Sequence, residues 1–117
     1  MNICDLRSGF WQVKIKKESR PLTSFTSPSG KRYQFCVCPF GLSISPAAML
    51  YILTSIFAGK GKKSGIFLYM DDLLTVGSTW EENLKNLEVM LQTLCENSLT
   101  CNPSKCQFGF NERISWF

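Results

Sequence analysis

The period of hydrophobic and polar positions changes several times along the chain, and each change marks an element. Residues 1–4 are mostly apolar and read as the tail of a buried strand that delivers Asp5 at its end, before the turn-prone Arg7, Ser8 and Gly9. From Trp11 to Lys16 apolar and polar residues alternate, which predicts a half-exposed strand over 10–16 with its lysines outward. A charged turn at 17–20 ends it at Pro21. The runs 22–26 and 31–38 flank a turn cluster, Ser27-Pro-Ser-Gly30, and so predict a hairpin with Lys31 and Arg32 near its tip. Ser45 and Pro46 supply a helix start, a capping serine and then proline at the first helical position. Apolar residues on nearly every side of 47–57 make that helix a largely buried one.

A flexible basic loop follows at 59–65. Residues 66–70 then predict a short buried strand running into Asp71 and Asp72, and 73–76 a second strand, so the two acids occupy a hairpin turn. Thr79 and Glu82 have the spacing of a capping box. Trp80, Leu84, Leu87, Leu91, Leu94 and Ser98 recur at threes and fours, predicting an amphipathic helix over 80–97 that buries this face. Short strands are expected at 99–101 and 106–110, around a turn at Asn102 and Pro103. The chain begins mid-element and stops at Trp116 and Phe117 without a capping signal, so both ends read as cut from something longer.

Composition narrows the class. With 117 residues, 44% hydrophobic and 19% charged, the chain has room for one small domain with a core; a multi-domain machine and a disordered chain are both excluded. The longest mostly apolar stretch, 47–58, is interrupted by Thr54 and Ser55 and is shorter than the ~20 residues a membrane-spanning helix needs, so no membrane partner is expected. Residues 1–5 carry no secretory pattern, which points to a reducing compartment. The six cysteines, Cys4, Cys36, Cys38, Cys95, Cys101 and Cys106, therefore read as free thiols rather than a disulfide framework. A zinc site would need four thiolates, since the chain has no histidine, and the C-x-C and C-x4-C spacings are not those of paired knuckles. Charge is polarised: residues 1–63 hold ten Lys or Arg against two acids, and residues 64–117 hold three against seven. The basic part suits phosphate, or is simply a solvated face.

The chemistry concentrates in the aspartates. The chain has three, Asp5, Asp71 and Asp72, and each falls at the end of a predicted buried strand. Adjacent carboxylates repel one another unless a cation neutralises them, so this pattern suggests a hard divalent metal with a third acid from a neighbouring strand. An Asp-Asp hairpin turn without chemistry is the plainer alternative.

Phe67-Leu-Tyr-Met-Asp-Asp-Leu73 resembles the Tyr-x-Asp-Asp motif of reverse transcriptases. Asp5-Leu-Arg-Ser-Gly-Phe-Trp-Gln-Val13 is similar to the segment bearing the first catalytic aspartate, in the form typical of Ty3/gypsy-type LTR retrotransposons. Arg20-Pro-Leu-Thr-Ser-Phe-Thr26, Arg32-Tyr-Gln-Phe35, Pro39-Phe-Gly-Leu42 with Ser45-Pro-Ala47, and Leu99-Thr-Cys-Asn-Pro-Ser-Lys-Cys-Gln-Phe108 resemble further segments in the family's order. Met49 departs from the pattern, standing where the family usually has Phe, a packing change that methionine's flexibility tolerates.

The resemblance implies an α+β fold: a polymerase palm-like antiparallel sheet backed by two helices, with part of the fingers at about 11–38, the whole of 1–117 being a partial reverse transcriptase domain. It implies RNA-directed DNA polymerase activity, with Asp5, Asp71 and Asp72 catalytic and two Mg²⁺ ions, or Mn²⁺, held by Asp5, Asp71, Asp72 and the Leu6 carbonyl. Phe10 matches the steric gate against a ribose 2′-hydroxyl. Phe40 and Gly41 match nucleotide- and template-contacting positions, Gly41 by allowing close backbone approach. Tyr69 and Met70 would lie beside the primer terminus. Lys105 lies near a lysine suited to protonating pyrophosphate as general acid, and a one-residue shift would put Cys106 there. The partners implied are an RNA or DNA template with primer, deoxynucleoside triphosphates, and the missing fingers, thumb and RNase H parts of a larger polyprotein. The location implied is intracellular, cytoplasmic or in virus-like particles. The alternative function is a catalytically silent, nucleic-acid-binding remnant of a retroelement.

Overall fold

In the computed structural model, which describes residues 1–60 and 65–110, the apolar run at 2–5 and the two runs on either side of Met70 and Asp71 pair into one antiparallel sheet. Its strands are β1 (Asn2–Asp5), β4 (Ile66–Tyr69) and β5 (Asp72–Thr75), in the order β1-β5-β4. The strands β2 (Phe25–Thr26) and β3 (Arg32–Tyr33) form a separate two-stranded sheet. Among the described residues there are two α-helices, α1 (Ser45–Ile56) and α2 (Trp80–Glu96). The chain divides into two units, Met1–Arg7 with everything from Leu50 onward, and Ser8–Met49.

The first unit is organised around β5. This strand is paired on both sides, Asp5 opposite Asp72 on β1 and Tyr69 opposite Asp72 on β4, and Leu73, Leu74 and Thr75 are all buried. The free edge of β1 is closed by backbone bonds exchanged between Ile3 and Gln107, both 2.8 Å, so no bare edge is left there for another chain to pair with. Residues 99–101 and 106–110 therefore meet β1 through single bridges, Leu6 to Cys101 and Ile3 to Gln107, and not as the strands the pattern predicts. The fold class, α+β with antiparallel sheets, is as expected.

Helix α2 packs on β5, but on a different face from the predicted one. The buried residues are Asn83, Asn86, Met90, Thr93 and Leu94, while Trp80, Leu84 and Leu91 are 55%, 43% and 41% exposed. Polar pairing sets the rotation. Asn2 Nδ2 donates to Thr75 Oγ1 at 2.9 Å and the Asn83 carboxamide lies within 3.2 Å of both residues. Asn86 Nδ2 donates to the Val76 carbonyl at 2.7 Å. Asparagines that satisfy the buried polar groups of β1 and β5 outweigh a leucine stripe, since an unpaired buried polar group costs ~1–3 kcal/mol. The capping box is present: Thr79 Oγ1 accepts from the Glu82 amide at 3.1 Å and Glu82 Oε2 from the Ser78 amide at 2.7 Å. Gly77 precedes it because a β-carbon there would run into the Asn83 backbone.

Helix α1 is not largely buried. Ser45, Met49, Leu53 and Phe57 make one buried stripe at intervals of four, and Tyr51 on another side is 75% exposed. Ser45 is already helical and its Oγ donates to the Pro39 carbonyl at 3.1 Å, so it anchors the helix start and does not cap it. In the first unit, Lys60 beyond the helix reaches Thr93 Oγ1 at 3.3 Å and Glu96 at 3.8 Å on α2. The remainder of the expected basic loop, 61–64, lies outside the described residues, as do Trp116 and Phe117.

In the second unit the predicted strand at 10–16 is replaced by a 3-10 turn, Gly9–Gln12, entered through Ser8 in the left-handed region at φ 50°. Only the end of the run is extended, where Lys14 bridges Val37 through the bonds Ile15 to Cys36 and Cys38 to Val13, both 2.9 Å. The charged turn is likewise longer than expected, a 3-10 stretch over Lys17–Thr23 that contains Pro21. The hairpin forms but is short, two residues a side, closed by Ser27 and Lys31 and faced by Phe25 stacked on Tyr33 at 5.7 Å.

Candidate active site

The hairpin between β4 and β5 turns through Met70 and Asp71, with Met70 in the left-handed region at φ 51°. A methionine there is strained, a condition that clusters at functional sites. The turn is tied to β1 by the Leu6 amide, which donates to the Asp71 carbonyl at 3.1 Å.

Register then does the rest. Asp5 and Asp72 are direct partners across β1 and β5, so both side chains project from one face of the sheet, with Tyr69 next in the row. The other face, with Asn2, Cys4, Leu73 and Thr75, is the buried one. Like charges directly opposite are destabilising, and Asp71 adds a third. Burial, then the charge of Asp5, pushes the Asp71 carboxyl above its ordinary range. Burial, then Asp5 and Asp71, pushes Asp72 up, against a downward pull from Lys105.

Lys105 Nζ faces the cluster, 3.8 Å from Asp5 Oδ1. It is aimed by a turn in which the Lys105 and Cys106 amides both donate to the Asn102 carbonyl, at 3.0 and 3.2 Å, while the Asn102 amide donates to the Asp5 carbonyl at 2.9 Å. Asn102 is thus a positioning residue that sequence reasoning registers only as a turn signal.

Three carboxylates share a half-buried cluster. Among the described residues, Asp71 Oδ1 stands out as a buried side-chain oxygen with no hydrogen-bond partner. Such an oxygen, beside two more carboxylates, fits a hard divalent cation, whose ligands are oxygens.

The first unit therefore brings together Asp5, Leu6, Tyr69, Met70, Asp71, Asp72 and Lys105. Phe10, Phe40 and Gly41 belong to the second unit and form a group there. The rings of Phe10 and Phe40 meet edge-on at 5.6 Å, and Trp11 leans on Phe40 at 5.8 Å. Gly41 has φ 90°, and a β-carbon there would meet nothing within 4 Å, so within this chain its backbone angle and not a close approach demands glycine.

The family model described as reverse transcriptase (RNA-dependent DNA polymerase) matches residues 1–116. Polyprotein P3 of Commelina yellow mottle virus is 40% identical over 108 residues, covering 92% of this chain and 6% of that protein. The retrovirus-related Pol polyprotein from transposon 412 of Drosophila melanogaster is also 40% identical over 108 residues, with 92% and 9% covered. Among solved structures, the foamy viral protease-reverse transcriptase in complex with double-stranded DNA matches with a TM-score of 0.79 and 30% identity, over 90% of this chain and 19% of that one. The same protein in complex with an RNA/DNA hybrid matches equally, over 14% of its length. This chain spans less than a tenth of the two polyproteins.

Proposed function

The chain belongs to the reverse transcriptase (RNA-dependent DNA polymerase) family, and we propose that it carries the nucleotidyl-transfer site of an RNA-directed DNA polymerase, the first unit as palm and the second contributing part of the fingers. The observation that carries this reading is the cross-strand pairing of Asp5 with Asp72, next to Asp71 with its unpartnered buried oxygen. A silent nucleic-acid-binding remnant would have no need to keep three mutually repelling carboxylates in register.

The reaction is attack of a primer 3′-hydroxyl on the α-phosphate of a deoxynucleoside triphosphate, with pyrophosphate leaving. Asp5, Asp71, Asp72 and the Leu6 carbonyl would hold two Mg²⁺ ions, or Mn²⁺ in their place. When bound, the ions supply activation of the attacking oxygen and charge stabilisation at the leaving one. Burial and mutual repulsion prepare the carboxylates for that charge by making them costly to leave uncompensated. Lys105, held beside Asp5, is assigned the proton for the departing pyrophosphate; its ammonium is the charged group on the turn that faces the carboxylates, whereas Cys106 joins two other thiols. Tyr69 and Met70 flank the acids at the hairpin and are assigned to the primer terminus. Phe10 is assigned to exclusion of a 2′-hydroxyl, its ring held by Phe40, and Phe40 and Gly41 to the nucleotide and template.

The test is primer extension on an RNA template by a polymerase that carries this chain. Asp72→Asn should reduce incorporation by a factor on the order of 10³ or more, since it removes charge that acts in the transition state. Incorporation retained by Asp72→Asn would overturn the assignment.

A further inference from the structure

Three of the six thiols converge. The sulfurs of Cys4, Cys101 and Cys106 all lie within 4.8 Å of one another, although they come from positions nearly a hundred residues apart. We propose that these three cysteines form a thiolate site for a soft d¹⁰ cation of the zinc class, separate in chemistry from the carboxylate site.

The frame around the sulfurs is built from both sides. Leu6 bridges Cys101, the Asn102 amide donates to the Asp5 carbonyl at 2.9 Å, and Gln107 exchanges backbone bonds with Ile3 at 2.8 Å. Cys4 is fully buried, while Cys101 and Cys106 are half-buried, so the cluster has a protein floor and a solvent-facing side. That is the shape of a site with three protein ligands and a fourth position for water. Zinc–sulfur bonds of ~2.3 Å in tetrahedral geometry set sulfurs about 3.8 Å apart, so the thiols need contract by about 1 Å or less. Binding displaces the thiol protons to solvent as sulfur–metal bonds form.

A disulfide accounts for this arrangement less well, because any pair leaves the third sulfur facing it. The spacing in sequence hides the site, since C-x4-C supplies only Cys101 and Cys106, and the third ligand arrives from β1; the four thiolates expected from the sequence are not needed where water takes the fourth position. The position also has a consequence. Cys4 precedes Asp5 and Cys106 follows Lys105, so a bound ion would clamp together the two backbone segments that carry the Asp5–Lys105 pair.

The experiment is titration of the reduced chain with Cd²⁺ as a spectroscopic stand-in for Zn²⁺, in excess Mg²⁺ so that carboxylates are occupied by the hard ion. The expected result is an ultraviolet sulfur-to-cadmium charge-transfer band saturating at one equivalent. Because even an outer partner of a metal ligand is worth ~10–100-fold in affinity, Cys101→Ser and Cys106→Ser should each weaken binding by at least about tenfold. Cys36→Ser and Cys95→Ser should leave it unchanged. Alkylation with mass-spectrometric mapping tests the unmutated chain: Zn²⁺ should protect Cys4, Cys101 and Cys106 while Cys36 and Cys95 react. Absence of the band, a band that follows Cys36 or Cys95, or unprotected Cys101 and Cys106 would overturn the proposal. None of these readouts depends on polymerase activity.

Discussion

At the scale of single residues the site is held in an uncomfortable state. Asp71 and Asp72 have carboxyls raised above 3.8 by burial and by neighbouring acids. A group that binds its proton more tightly folded than unfolded contributes stability that is complete below its unfolded pKa and is lost as pH rises through the folded one. The metal-free chain should therefore lose stability as pH climbs from about 3.8 through the raised values. Asp71→Asn should melt higher than the parent chain at neutral pH without metal, and Mg²⁺ should raise the parent's melting temperature more than the variant's. A metal-free variant that melts lower at pH 7 would contradict the electrostatic account. Met70 is strained in its backbone, and Met70→Gly should stabilise the fold to urea by about 0.5–1 kcal/mol, the relief of left-handed strain less the entropy of glycine. The three aspartates were legible as residues because none is spent elsewhere in the chain. The thiol cluster was not, because its convergence is tertiary.

At the scale of elements, pattern and structure diverge where polar residues do the packing. The period of α2 correctly marks a helix and Thr79 its start, yet of the stripe read as core Trp80, Leu84 and Leu91 face outward and Leu94 is buried. Hydrophobicity ranks Asn83 and Asn86 as surface, and only the partners on β5 and at Val76 reveal why they are buried. Met90→Ala should thus cost about 2–4 kcal/mol by opening a cavity, whereas Leu91→Ala next to it should cost below about 1 kcal/mol; equal losses in urea melts would restore the predicted face. Alternation misled at 10–16 for a related reason: period two needs a partner strand, and only the stretch near Lys14 finds one, at Val37. The β4–β5 hairpin was legible because strand, turn and strand agree, although the turn takes Met70 and Asp71 and Asp72 already belongs to β5.

At the scale of the whole molecule, sequence order and spatial order differ, and the site follows the latter. Asp5 and Asp72 are 67 positions apart and become neighbours only because β5 pairs with β1. Among the described residues no helix is long and apolar enough to cross a membrane. Polymerase chemistry at this site requires that Asp5, Asp71 and Asp72 together hold a divalent cation. Mn²⁺ binding to the purified chain, followed by loss of the free-ion electron paramagnetic resonance signal, tests it most directly, because a hard ion leaves the thiols aside. Uptake of Mn²⁺ that Mg²⁺ displaces and that the triple variant Asp5→Asn, Asp71→Asn, Asp72→Asn lacks is the predicted result; equal uptake by the triple variant would contradict the account.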